Sequence, residues 1–164
     1  MPDLPVECRP MAVAAMEYCW LVEGFKGFRY DRAWAERMSA LLPRLHVAVI
    51  SMTQPDERCW VYDFPDDDAR CELYMRLHAA MGSDVMYWDA ADGLYNRRQL
   101  CDQLADDLTD MYFDLKCGLE VIEHDPQLAM ENWQCSFYLH WGRHLLDAEY
   151  CLQSVDAGAS QLLV

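Results

Sequence analysis

Four aspartates, Asp102, Asp106, Asp110 and Asp114, recur at every fourth residue of the stretch QLCDQLADDLTDMYFDLKCGLEVIEH, Gln99 to His124. On a helix this spacing sets successive carboxylates about one turn, ~5–6 Å, apart. Like charges so placed repel by roughly 0.2–0.5 kcal/mol per pair. The row therefore brings the fold no stability and points outward, to a docking face for a basic protein partner steered in by the field. Tyr87 and Trp88, in an irregular segment just before this helix, would be its aromatic anchors. The plainer alternative is a solvated helix face partly neutralised by Arg97, Arg98 and Lys116, with the aromatics plugging the end of the fold.

Two metal chemistries compete with docking. Asp106, Asp107 and Asp110 spell the DDxxD pattern with which isoprenoid synthases hold magnesium and diphosphate. Oxygen donors on adjacent helix turns suit a hard cation, although no second acid-rich motif accompanies them. Adding Glu120 and Glu123 gives a carboxylate set for a small magnesium- or manganese-dependent hydrolase of nucleotides or diphosphates, the alternative to protein binding. His140 and His144 lie four apart, the spacing that brings two imidazoles to one ion, with His124, His78 or Cys135 as a third donor. Their plainer role is packing at the edge of the fold. No Gly-rich phosphate loop is present, and no cofactor is expected.

The bulk composition narrows the partners. The 164 residues are 53% hydrophobic, enough for one domain with a real core, and carry a formal net charge of −15. A surface this acidic repels phosphate backbones and anionic membranes, which argues against nucleic-acid or membrane binding. The opening MPDLPVECRPMAVAA lacks the pattern of a signal peptide, and no apolar run reaches the roughly 18 residues of a membrane span. The expected location is cytoplasmic, so the eight cysteines, scattered with no C-x-x-C pair, are expected to be reduced thiols.

The elements that must position these residues are helical. Residues 1–9 read as a lead-in. A first helix spans 10–23, with Pro10 in its first turn. Asp31 caps a second helix that Pro43 should kink or split. Residues 53–68 form an irregular acidic loop. A third helix carries Cys71, Tyr74, Met75 and Met81 and stops at Gly82. Residues 83–98 are irregular. In the helix at 99–124, Leu100, Leu104, Leu108, Met111, Leu115, Leu119 and Ile122 make an apolar stripe opposite the start of the Asp row. The last helix starts at Asp125-Pro126 and is apolar over a broad face through Trp133, Phe137, Trp141 and Leu145. Residues 153–164 read as a frayed tail. The fold class is all-α, a single-domain bundle of about five main helices over 10–152.

The segment ADDLTDMYFDLKCGLEVIE, followed by NWQCSFYLHWGRHLLDA, resembles the bacterial domain-of-unknown-function family 5063. The likeness lies in the acidic helix from Asp106-Asp107-Leu108 to Asp114-Leu115-Lys116 and in Phe137 to Trp141-Gly142. In the N-terminal half it lies in Glu17-Tyr18-Cys19 and Leu41-Leu42-Pro43. The resemblance implies an all-helical single domain and no activity, because the family is uncharacterised. It also favours a helical continuation over a strand for Leu45–Met52. The expected function is a non-catalytic acidic protein-binding module, an inhibitor or immunity-type protein that neutralises a basic toxin or nuclease-like partner.

Overall fold

The structure, a computed structural model, describes residues 4–27, 32–52, 67–82 and 97–161. Its helices are α1 (Arg9–Gly24), α2 (Arg32–Ile50), α3 (Asp67–Gly82), α4 (Arg97–Val121), α5 (Pro126–Ser136) and α6 (Gly142–Gln161). A π-helical turn, Phe137–Trp141, joins α5 to α6. Every regular element among the described residues is helical, so the all-α expectation stands. The proposed cap Asp31, the loop at 53–66 and the anchors Tyr87 and Trp88 lie outside the described residues.

α4 is the hub and packs against α1, α3, α5 and α6. The expected stripe is its inner face: Leu104, Leu108, Met111, Leu115 and Ile122 are buried. The opposite side is covered too, with every residue from Asp107 to Met111 buried. Long aromatic side chains tie the helices together by filling the core and spending their polar tips on neighbouring backbone. Tyr18 Oη of α1 donates to Leu108 O of α4 at 2.9 Å. Trp34 Nε1 of α2 donates to Leu21 O at 3.0 Å, and Trp133 Nε1 of α5 to Leu115 O at 3.0 Å. Each such bond spares a buried donor that would otherwise cost about 1–3 kcal/mol. Gly118 allows the last contact: a Cβ there would sit 2.2 Å from Trp133 Nε1.

Pro43 lies inside α2, which continues unsplit to Ile50, so 45–50 are helical, as the resemblance implied. The last helix is not one regular rod but changes pitch at Phe137–Trp141. Helical backbone extends to Gln161, beyond the point where the tail was expected to fray. The end of α1 is closed from outside: Arg76 of α3 donates to the carbonyl of Val22 at 3.1 Å, which also accepts the Phe25 N–H, and to that of Phe25 at 3.2 Å, adding donors where a helix C-terminus leaves acceptors in excess. No disulfide joins the described cysteines, of which Cys71 on α3 is exposed and Cys8, Cys19, Cys101, Cys135 and Cys151 are buried.

Candidate functional site: a carboxylate–imidazole cluster

The Asp row does not stay on one face. Four residues turn an α-helix by about 400°, so each step advances the row by about 40° and three steps by about 120°. The upper half faces α3 and the lower half faces α6. On the α3 side, Asp102 Oδ1 meets His78 Nε2 at 2.6 Å. Arg70 donates from Nη2 to Asp106 Oδ1 at 2.8 Å and from Nε to Asp110 Oδ1 at 2.7 Å. Hydrogen bonds to Asp110 outweigh the effect of burial and hold the Arg70 guanidinium even more firmly protonated than usual.

On the α6 side, Asp114 Oδ2 lies 2.6 Å from His140 Nδ1. Asp107 Oδ1 lies 2.8 Å from His144 Nδ1, and Asp110 Oδ2 lies 3.4 Å from His144 Nε2. The aspartates are therefore tied to the molecule's own cations and imidazoles. Asp110 and Asp114 are only 8% and 5% exposed. Asp110 and Asp114 are thus turned inward, whereas the Asp102 and Asp106 side chains stay 44% and 48% exposed; ion pairs within the fold offset the repulsion along the row.

The π turn positions one half of this cluster. In it the Gly142 N–H donates to Phe137 O, five residues back, and such wide turns inside helices recur at functional sites. His140 projects from the turn and His144 from the first turn of α6, their ring centroids 5.0 Å apart. Asp110, His140 and His144 each offer a donor atom, and the three atoms lie within 4.8 Å of one another. His144 is 5% exposed and Asp107 is 3% exposed, so the cluster is interior.

Burial dominates its electrostatics. It pushes the Asp107 carboxyl above its ordinary range, against the pull of the hydrogen bond and charge of His144. It raises Asp114 in the same way, against His140 and Ser136. Burial alone would push His144 down, but its hydrogen bond to Asp107 and the charges of Asp110 and Asp107 together leave it raised. Asp107 Oδ2 is buried and makes no hydrogen bond.

The donor set has a specific chemical consequence. When Nδ1–H of a histidine donates to a carboxylate, the neutral ring keeps its lone pair on Nε2 and is fixed in orientation, as metal-binding histidines are. Both imidazoles here have that carboxylate: Asp114 for His140, and Asp107 for His144, whose Nε2 accepts from Arg143 Nε at 3.3 Å, a contact that an ion would displace. The 3.4 Å between His144 Nε2 and Asp110 Oδ2 matches the edge of a coordination tetrahedron with bonds of about 2.0–2.2 Å. Three protein donors leave at least one position open for water or another ligand, the arrangement of reactive rather than purely structural sites.

The sequence-derived donors divide accordingly. Asp110, His140 and His144 come together. Asp107 belongs to the site as the carboxylate behind His144, not as a ligand, and Asp106 is held outside by Arg70. Glu120 and Glu123 are exposed, and Glu120 stands ten residues from Asp110, about 15 Å along the helix; they are not part of a common carboxylate pocket. Of the proposed third donors, His78 is engaged by Asp102, His124 is exposed near the far end of α4, and Cys135 lies in α5. Sequence reasoning missed Arg70. Its signal was the four-residue spacing Arg70, Tyr74, His78, a stripe on α3 that runs antiparallel to the start of the Asp row.

Fold and site define a class: a small helical bundle with a histidine–carboxylate cluster enclosed between its two longest rods. The chain belongs to the family described as Domain of unknown function (DUF5063), whose model matches residues 3–158. It is similar in fold to the crystal structure of protein BF1032 from Bacteroides fragilis, with a TM-score of 0.62 and 18% identity over 92% of each chain. No curated protein matches the chain. Among the described residues, no helix is long and apolar enough to cross a membrane.

Proposed function

We propose that this protein binds one divalent transition-metal ion at Asp110, His140 and His144, with open coordination positions for a small ligand. The observation that carries the reading is that both histidines are backed by carboxylates of α4, while a third carboxylate oxygen faces His144 Nε2 at 3.4 Å. Two imidazoles and one carboxylate with open positions suit Zn²⁺ or Fe²⁺ better than Mg²⁺, which prefers oxygen donors and keeps its water. The hydrolase alternative is thus narrowed to metal-activated water at an imidazole site, without Glu120 and Glu123.

The test is titration of chelator-stripped protein with Zn²⁺, followed by calorimetry and thermal melting. One equivalent is expected to bind. At a free concentration about 100 times Kd it stabilises the fold by about 2.7 kcal/mol. His140→Ala and His144→Ala each lose at least tenfold in affinity. Binding that ignores both substitutions, or no shift in melting at millimolar Zn²⁺, would overturn the site.

The formal net charge of −15 favours a second reading, an acidic module that inhibits a basic protein such as a toxin. Of the Asp row only Asp102 and Asp106 stay partly exposed, so its contact face would draw on them together with exposed carboxylates such as Glu120. A cytoplasmic setting fits either reading, because no disulfide joins the described cysteines. A pull-down with the wild-type chain that retrieves a basic protein in the presence of chelator would support this second reading over the first.

A further inference from the structure

We propose that Arg70 sets which metal the site accepts, by holding Asp110 to a single coordinating oxygen; this rests on the reading of Asp110, His140 and His144 as the ligands. Arg70 comes from α3 and meets the Asp110 oxygen that the histidines do not. Its Nε occupies Asp110 Oδ1 at 2.7 Å, while its Nη2 is anchored on Asp106 Oδ1 at 2.8 Å. A guanidinium is rigid and planar, so two anchored nitrogens fix the direction from which Oδ1 is held. Asp110 is 8% exposed, which leaves water little room to replace the arginine. Only Oδ2 remains, and it is the oxygen that faces His144 Nε2 at 3.4 Å.

The consequence is selectivity by denticity. A small ion with four tight bonds at about 2.0–2.2 Å needs one oxygen from a carboxylate. Ca²⁺ takes six to eight oxygens at about 2.3–2.6 Å and gains from a bidentate carboxylate. With Oδ1 engaged, the site offers a large hard ion one protein oxygen and two nitrogens, a poor set. Arg70 is therefore a positioning residue that discriminates against oxygen-seeking ions without touching the metal.

Charge and denticity separate cleanly. Removing the positive charge of Arg70 strengthens the binding of every divalent ion by a similar factor, so the ratio of two affinities is nearly blind to it. Freeing Oδ1 helps the large ion alone. The experiment measures Zn²⁺ and Ca²⁺ affinities of the full chain by competition, for wild type, Arg70→Met and Arg70→Lys, each checked for folding by circular dichroism. Arg70→Met is expected to raise the Ca²⁺:Zn²⁺ affinity ratio at least tenfold. Arg70→Lys keeps the charge but has one point donor, and should raise the ratio at least threefold. A ratio within twofold of wild type in the variants that fold overturns the role of Arg70, and Arg70→Lys decides the matter if Arg70→Met does not fold. Wild-type protein that binds no Zn²⁺ instead refutes the metal reading itself.

Discussion

Replacing Gly142 by alanine tests whether the π turn is what delivers His140 to the cluster. A Cβ at this position would lie 2.5 Å from the carbonyl oxygen of Phe137 and 3.1 Å from two carbons of its ring. That oxygen is backbone and already accepts the Gly142 N–H, so it cannot swing aside. Two responses are open to the chain. If the π turn persists, the crowding costs about 1–3 kcal/mol. If the turn tightens to α-helical pitch, one residue is lost from the turn, the segment before it rotates by about 100°, and His140 leaves Asp114. That forfeits a hydrogen bond to a charged group, worth about 1.5–3 kcal/mol. Alanine returns about 0.8–1.0 kcal/mol of helix propensity, so either route ends at a net loss centred on ~1 kcal/mol and reaching ~2 kcal/mol. At this chain length each kcal/mol lowers Tm by about 2–4 °C. Thermal melting in chelator reads the stability, and Zn²⁺ titration separates the routes, because only the second removes a ligand. A variant that melts at or above wild type and binds Zn²⁺ within twofold of it would refute the reasoning.

Other expectations follow from the same contacts. Gly118→Ala puts a methyl into the Trp133 indole and threatens its bond to Leu115 O, so it should cost roughly 1–3 kcal/mol in a denaturant melt; an unchanged midpoint would mean that the helices separate more easily than their packing suggests. The double variant Asp106→Lys/Asp110→Lys sets two ammonium groups against Arg70; the part-exposed Asp106 pair contributes little, and placing a charge at the buried Asp110 position should cost about 3 kcal/mol. A normal melt for that variant would restore the outward docking face. The pH dependence has a definite sign. Asp107, Asp114 and His144 all have raised values in the fold, so the folded chain holds protons that the unfolded chain releases. The aspartates lend stability that is full below roughly pH 3.9 and is lost as pH rises through their folded values; His144 does the same from roughly 6.5 upward. Metal-free protein should therefore melt lower at pH 8 than at pH 6, and the opposite trend would contradict the assignment.

The helical architecture was legible because apolar residues three and four apart survive as a stripe wherever a helix packs, and α4 keeps its own from Leu104 to Ile122. The interior position of Asp110 and Asp114 was not. Periodicity locates one buried face, but the second covering of α4, by α3 and α6, depends on which helices become neighbours, and no spacing within α4 encodes that. The pairs His140–Asp114 and His144–Asp107 join residues 26 and 37 apart in the chain. Each half was visible, as an i, i+4 histidine pair and as an acidic helix, but their meeting is tertiary. The π turn escaped because pitch reflects packing more than composition; Gly142 makes room there for the Phe137 carbonyl.

The uneven burial of the thiols makes the protein selectively reactive. Burial lifts Cys19 and Cys151 to about 12, so at neutral pH only on the order of one molecule in 10⁵ carries either as a thiolate, and alkylating or oxidising reagents should pass them by. Cys71, exposed on α3, is the neighbour of Arg70 in sequence. A fluorescent or spin label attached there would report from the outer rim of the histidine–carboxylate cluster while leaving its interior chemistry untouched.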